Sequence, residues 1–414
     1  MESEPDIEAD ISAVVDRGES LGLMEPVVLA EDCRSRGLLN DLAFELGQKS
    51  AGFRRSLPPS LVPSLASLVR SMNCYYSNLI EGHDTHPIDI ERALKNDYSA
   101  DPKKRDLQIE AKAHIAVQTW IDGGALARRS LSVDGICEIH RRFYENLPDA
   151  LCWATNRVSG ERVRIIPGRL RHRDVRIGKH DGISPGAVPR FLQRFEAAFA
   201  QQGKAGLIVA AAAAHHRLAW IHPFLDGNGR VTRLMSHALY LDLLDTGGLW
   251  SIARGLGRHA RDYKMHLANC DQLRRNDLDG RGTLSEAALV EFTEFYLRLS
   301  LDQVNFMETM MQPDRLRVRV MLWAEEEKRL GKLPHQALTL LEALLHRGEV
   351  RRAEIAPMLG VVDRQARRIV NRLAERDVIV SESARSPLRL GFPAALASRW
   401  MPGLFPDKPV EETS

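Results

Sequence analysis

Cysteine is scarce. The 414 residues hold five, Cys33, Cys74, Cys137, Cys152 and Cys270, an odd and scattered set with no CxxC pair. That excludes a disulfide framework and a cysteine-based structural zinc site, and points to reduced thiols in a cytoplasmic protein. Long apolar runs are lacking too. The longest, Gly206 to Ala214, falls well short of the roughly 18 residues that span a bilayer, so no membrane association is expected. The opening MESEPDIEAD is acidic and has no apolar core, so it does not read as a secretory signal. Charge of one sign is also lacking: 57 Lys and Arg face 55 Asp and Glu, a net charge of +2. No global field draws nucleic acid or membrane, and any basic patch must be local.

What remains is ordinary for a soluble globular protein, with 44% apolar and 27% charged residues. The length exceeds what one core supports and predicts two or three domains. Helical periodicity dominates. Leu61, Leu65, Leu68, Val69, Met72 and Tyr76 recur on one face of a helix ending at Gly82. Further helices are expected over 88–94, 107–121, 133–144, 188–201, 207–222, 228–244, 260–270, 285–311 and 313–330. Residues 26–55 mix short apolar runs with Gly37, Gly47 and Gly52 and give no clear element. Residues 157–166, with a Ser-Gly turn, and the alternating 175–178 predict one β-hairpin or flap. Beyond a linker at 330–334, three short helices and strands at 378–380 and 388–390 form a winged-helix pattern. The expected divisions are an N-terminal extension at 1–58, a catalytic core at 59–312, a helical linker at 313–334 and a winged-helix-like domain at 335–414.

Chemistry concentrates at His222-Pro223-Phe224-Leu225-Asp226-Gly227-Asn228-Gly229-Arg230-Val231-Thr232-Arg233. Pro223 disfavours helix at His222 and so bends the chain there. Two glycines around Asn228, entering a helix, form an anion nest: the backbone turns sharply and its amides point at phosphate oxygens. Arg230 and Arg233, three apart, lie side by side at the helix start and suit two phosphate groups. Asp226 can share a Mg²⁺ ion with phosphate oxygens. His222 can take a proton from a hydroxyl attacking the bound phosphate. By contrast, His215 and His216 point to different helix faces and have no acidic partner at ligand spacing, so a metal site there is not expected.

This string resembles the active-site motif of the Fic family, H-x-F-x-D/E-G-N-G-R-x-x-R, at every defined position. Weaker similarity covers residues 60 to 300. Pro167-Gly168-Arg169-Leu170-Arg171 and the segment 175–178 look like the family's target-docking flap. The resemblance implies a mainly α fold: a Fic-type helical core with a β-hairpin flap, followed here by a winged helix-turn-helix domain. It implies a protein adenylyltransferase. His222 would be the general base, Phe224 the loop's anchor and Asp226 the Mg²⁺ ligand. Gly227, Asn228 and Gly229 would form the anion hole. Arg230 would hold the β-phosphate and Arg233 the γ-phosphate of ATP. A Ser, Thr or Tyr hydroxyl of a target protein, this chain itself included, would attack the α-phosphate and release pyrophosphate. Doc-type kinases carry Lys where Gly229 stands, and Gly229 favours AMP transfer. Tyr263 and Lys264 stand where relatives carry a Tyr-Tyr pair near the adenine; Lys264 departs from that pattern.

Ser77-Asn78-Leu79-Ile80-Glu81-Gly82 resembles the inhibitory S/T-x-x-x-E-G/N motif of braked Fic proteins. Ser77 and Glu81 share a helix face. By resemblance, Glu81 would pair with Arg233, occupy the γ-phosphate site and misplace ATP. Relatives often pair, so a homodimer is among the expectations. In the C-terminal segment, Arg364, Arg367, Arg368 and Arg372 lie near one helical stripe, as on a recognition helix. Asp363, Glu375 and Asp377 dilute that charge and no basic arm accompanies it, so protein docking or dimerisation is the preferred expectation for residues 335–414 and DNA the alternative. Rival readings of the whole chain are a transferase that uses another nucleotide or removes AMP, and a catalytically restrained DNA-binding regulator.

Overall fold

The computed structural model describes residues 14–155, 160–178 and 180–406. Its helices, in chain order, are α1 (Arg36–Ser56), α2 (Val62–Ile80), α3 (Pro87–Leu94), α4 (Pro102–Asp122) and α5 (Val133–Glu145). Two short strand pairs follow, β1 (Trp153–Thr155) with β2 (Arg162–Arg164) and β3 (Arg176–Ile177) with β4 (His180–Asp181). Next come α6 (Val188–Ala200), α7 (Lys204–Ile221), α8 (Asn228–Leu244), α9 (Ala253–Arg258), α10 (Ala260–Cys270), α11 (Glu286–Met311) and α12 (Pro313–Arg329). The chain then forms α13 (Gln336–Arg347), β5 (Glu349–Val350), α14 (Arg352–Leu359), α15 (Asp363–Ala374), β6 (Ile379–Val380), β7 (Leu388–Leu390) and α16 (Ala397–Trp400). The protein is mainly helical.

Two compact units are built from interleaved segments, whereas the divisions expected from the sequence are contiguous. One unit holds the described part of Met1–Gly47 with Lys112–Leu244 and Gly255–Leu301; the other holds Gln48–Ala111, Asp245–Arg254 and Asp302–Ser414 as far as they are described.

In the first unit α7 is central. Val209 to Leu218 are all buried, and a helix covered on every side needs no amphipathic stripe. Its five successive alanines, Ala210–Ala214, make it thin, so α6 and α8 pack close against it. Phe191, Leu192, Phe195 and Phe199 of α6 fill one flank. The fully buried Arg217 donates through Nε and Nη2 to the Pro26 carbonyl at 2.9 and 2.7 Å, which satisfies a charge that burial alone would make costly.

In the second unit, α2 buries Leu65, Val69, Met72 and Tyr76, and the Tyr76 hydroxyl donates to the Leu404 carbonyl at 3.0 Å. Gly82, at φ 83, ends this helix, with Gly82 N–H on Leu79 O and His83 N–H on Asn78 O. Trp323 and Trp400 meet edge to face at 5.2 Å. Residues 336–390 supply α13, α14 and α15 and a three-stranded antiparallel sheet of order β5-β7-β6, with Val350 opposite Leu388 and Ile379 opposite Leu390.

Two expectations change. Residues 36–56 form α1, which its three glycines obscured. Leu39, Leu42, Ala43, Leu46, Ser50 and Phe53 are buried at helical spacing, and that burial offsets a glycine penalty of about 1 kcal/mol each. The single hairpin expected over 157–178 is two hairpins. Arg162–Arg164 pairs with the upstream Trp153–Thr155, and Arg176–Ile177 with His180–Asp181. Residues 157–159, which include Ser159 of the expected Ser-Gly turn, lie outside the described residues.

Candidate active site

The motif loop lies wholly within the first unit. α7 ends at Ile221, and His222 is its C-cap in the left-handed region at φ 51, ψ 63, with its N–H on the Leu218 carbonyl. A non-glycine residue there is strained. Pro223 closes the helical alternative, and the reversal points the next residues away from α7. Phe224 is fully buried and stacks on His140 of α5, with centroids 3.9 Å apart and planes at 10°. Asn228 staples the loop: its Oδ1 accepts from Phe224 N–H at 2.9 Å and its Nδ2 donates to Phe224 O at 2.8 Å. Gly227, at φ 77, accepts the first bond of α8 from Val231 N–H. A Cβ at this glycine would lie 3.0 Å from the Tyr144 ring. The loop thus enters a 17-residue helix whose first-turn amides lack intrahelical acceptors and present a partial positive charge.

Electrostatics suit a base. His222 is half-buried. Desolvation pushes its pKa down to about 4; the Ala219 carbonyl works against that shift, and Arg171 adds to it. At neutral pH the imidazole is neutral. Its Nδ1 faces the Ala219 carbonyl at 3.4 Å, which favours a proton on Nδ1 and leaves Nε2 able to accept one. Asp226 is exposed, and its Oδ2 accepts from the Tyr144 hydroxyl at 2.8 Å. Arg230 and Arg233 are both nearly buried, with the Arg230 guanidinium 5.1 Å from the Phe143 ring centroid. His114 is buried near the same two cations, and desolvation first, then Arg233, hold its pKa down to about 3.

Three residues hold this loop, and only the last of them, Arg171, stands in a segment singled out in the sequence. His140 is fully buried; its Nδ1 accepts from Gly168 N–H at 2.9 Å, and desolvation lowers its pKa to about 4. Tyr144, one helical turn on, reaches Asp226. Their shared signal is a pair of polar-tipped rings on the buried stripe of α5, beside Ile136, Ile139 and Phe143. Arg171 is the third, and it is not the docking residue the resemblance implies. It is 2% exposed. Its Nε donates to His222 O at 2.8 Å, Nη1 to Arg173 O at 3.1 Å and Nη2 to Ile183 O at 2.6 Å, while its backbone N–H bonds Pro223 O at 2.8 Å. It tethers the bend. Arg169 is exposed and Leu170 part-buried; both line a small pocket that Leu225 of the loop also lines.

Tyr263 is 4% exposed and its hydroxyl lies 2.7 Å from His215 Nε2. His215 Nδ1 in turn lies 2.8 Å from Ser236 Oγ, which donates to Thr232 O, so Nδ1 carries the proton and Tyr263 donates to Nε2. That hydroxyl is committed inside the core, not offered to a base; Lys264 is exposed. His216 Nε2 lies 3.0 Å from Asp271 Oδ1. In the second unit, Glu81 is the exposed C-cap of α2 and Ser77 is buried one turn earlier. No group of three potential metal ligands occurs among the described residues, and no helix among them is long and apolar enough to cross a membrane.

Residues 130–240 match the family model described as Fic/DOC family. Proteins named Protein adenylyltransferase Fic from Drosophila persimilis and Drosophila melanogaster are each 28% identical over 169 residues, 40% of this chain. That stretch spans only 30% and 31% of those relatives' own lengths. A Fic family protein from Desulfovibrio desulfuricans G20 aligns in structure with a TM-score of 0.50 and 17% identity, covering 85% of this chain and 95% of that one. The second likeness speaks to fold alone, and it extends well beyond the matched segment. Residues 130–240, from the approach to α5 through most of α8, therefore form a domain of the Fic/DOC family.

Proposed function

We propose that the chain transfers AMP from ATP to a hydroxyl side chain of a protein. The observation that carries this reading is the junction of α7 and α8: a neutral imidazole on a left-handed bend, followed at once by a glycine-lined loop feeding a helix N-terminus. ATP would lie with its triphosphate over the amides of Gly227 to Gly229, flanked by Arg230 and Arg233. Gly229 adds no side chain to that cradle. Mg²⁺ enters as part of the substrate. Asp226, a lone exposed carboxylate braced by Tyr144, fits an ion that takes most of its ligands from phosphate and water, and a fully protein-caged metal has no ligand set here among the described residues.

His222 Nε2 takes the proton of the target Ser, Thr or Tyr hydroxyl as its oxygen attacks the α-phosphorus. The bond from that phosphorus to the bridging oxygen breaks, and pyrophosphate leaves with the electron pair. Arg230 and Arg233 balance the charge that builds on it. Rate comes chiefly from positioning and fixed dipoles. Arg171 fixes the His222 carbonyl and hence the ring's attachment. Glu81 restrains the reaction, on the likeness of residues 77–82 to an inhibitory motif.

The test uses His222→Ala and Glu81→Gly proteins with ATP labelled at the α- or γ-phosphate. Protein label from α-labelled ATP only, lost by about 10²- to 10⁴-fold in His222→Ala and raised in Glu81→Gly, is expected. Label from the γ position would make the chain a kinase. Label from α-labelled UTP or GTP in preference to ATP would change the substrate. No label with any nucleotide would overturn the assignment, and equal labelling of wild type and Glu81→Gly would remove the brake.

A further inference from the structure

The second unit carries a surface that adenylyl transfer does not use. α15 is sharply two-sided. Ala366, Ile369, Val370 and Leu373 are buried, whereas Arg364, Gln365, Arg367, Arg368, Asn371 and Arg372 are exposed. At 100° per residue these six side chains share one broad face of the helix. The side chains of the four arginines make no hydrogen bond or ion pair among the described residues. The acids that dilute this charge in the sequence do so less in the fold. Asp377 is engaged by Lys95, and Glu375 stands at the C-cap, past the last arginine. Asp363 occupies the first helical position, where a carboxylate offsets the helix dipole.

The surroundings narrow the partner. α14 precedes α15 across a turn at Gly360, φ 63, and the two helices pack together and against α13. β6 and β7 form an antiparallel ribbon beside α15, and the turn between them exposes Arg385. The element order α13-β5-α14-α15-β6-β7 is that of a winged helix. A helix presenting bare guanidinium and amide side chains over roughly 12 Å of its length suits the major groove of duplex DNA. There Arg pairs with guanine or phosphate, and Gln and Asn with adenine. An acidic protein surface would ask for the charge alone and would make no use of the ribbon or of Gln365 and Asn371.

We propose that α15, with the β6–β7 turn beside it, binds duplex DNA through Arg364, Arg367, Arg368 and Arg372. The experiment is fluorescence anisotropy of the full chain with a mixed-sequence 30-base-pair DNA duplex across a salt series. Arg367→Ala/Arg368→Ala and the fourfold Arg→Ala protein serve as comparisons, each checked for an unchanged melting temperature. Four arginine–phosphate contacts predict a log–log salt slope near −3.6, an affinity loss of roughly 100-fold between about 50 and 200 mM salt. The double variant should halve the slope, and the fourfold variant should abolish binding. The proposal is overturned if wild type binds the duplex no better than the fourfold variant, or if an A-form RNA duplex or polyglutamate of equal charge competes as well as DNA. The first result would leave the face without a nucleic-acid partner; the second would assign it to another class of polyanion.

Discussion

Arg171→Ala separates two roles for one residue. A docking residue can be removed with little effect on the fold and a weaker grip on the target. A tether cannot. The Arg171 guanidinium donates to three carbonyls, those of His222, Arg173 and Ile183, and each such charge-assisted bond is worth about 1.5–3 kcal/mol. Against this stands the burial of the charge, which pulls its pKa down to about 10, equivalent to about 3 kcal/mol of desolvation. The net loss on truncation is therefore about 3 kcal/mol. Arg171→Lys keeps the charge but not the planar fork, and should lose about 2 kcal/mol. Urea unfolding at neutral pH should show a lower midpoint with an unchanged slope. Because one of the freed carbonyls belongs to His222, the turnover rate of the variant should fall with little change in KM for the protein target. An unfolding free energy within about 0.5 kcal/mol of wild type, combined with a raised target KM and an unchanged turnover rate, would refute the tether and restore the docking role.

Other consequences follow from the same geometry. Asn228→Ala removes both bonds to the Phe224 backbone and should cost about 2 kcal/mol, with weaker ATP binding by calorimetry; unchanged values would mean the loop holds itself. Gly227→Ala meets a left-handed backbone and the Tyr144 ring at 3.0 Å. It should lose about 2 kcal/mol by thermal denaturation, with part of that recovered when Tyr144→Ala is added. Tyr144→Phe should change stability by less than about 1 kcal/mol yet raise the Mg²⁺ concentration needed for half-maximal labelling several-fold. His114, His140 and His215 have folded pKa values pushed down to about 3, 4 and 3, below an unfolded value of about 6.5. The unfolded chain takes up protons that the fold refuses, so stability declines as pH falls below 6.5, by about 2 kcal/mol per histidine at pH 5. Equal denaturation midpoints at pH 8 and pH 5 would contradict that burial.

The parts legible in the sequence were those whose cause is local. α2, α7, α8, α10 and α15 announced themselves by apolar spacing and by Gly82 and Pro223 at their ends. The residues from His222 to Arg233 announced themselves because nest, bend and helix start lie within twelve positions. α1 stayed hidden because Gly37, Gly47 and Gly52 interrupt a stripe that only tertiary burial makes visible. The second hairpin partner, Trp153–Thr155, leaves no mark in the sequence because three-residue strands carry almost no period.

The supports of the motif were illegible for a different reason. Tyr144 lies 82 residues from Asp226, Arg171 51 from His222, and His140 28 from Gly168, and no periodicity links side chains at such separations. Yet all of them fall within residues 130–240, the stretch that matches the family model, while Tyr263, whose hydroxyl is bound inside the core, falls outside it. The unit that matches the family model is thus more than the loop from His222 to Arg233. It comprises α5, the 167–171 segment and the α7–α8 bend as one hydrogen-bonded assembly. A strained His222 at φ 51 keeps its conformation only because the neighbouring elements over-determine it. Transplanting the motif without His140, Tyr144 and Arg171 would transfer the residues and lose the geometry that makes them a site.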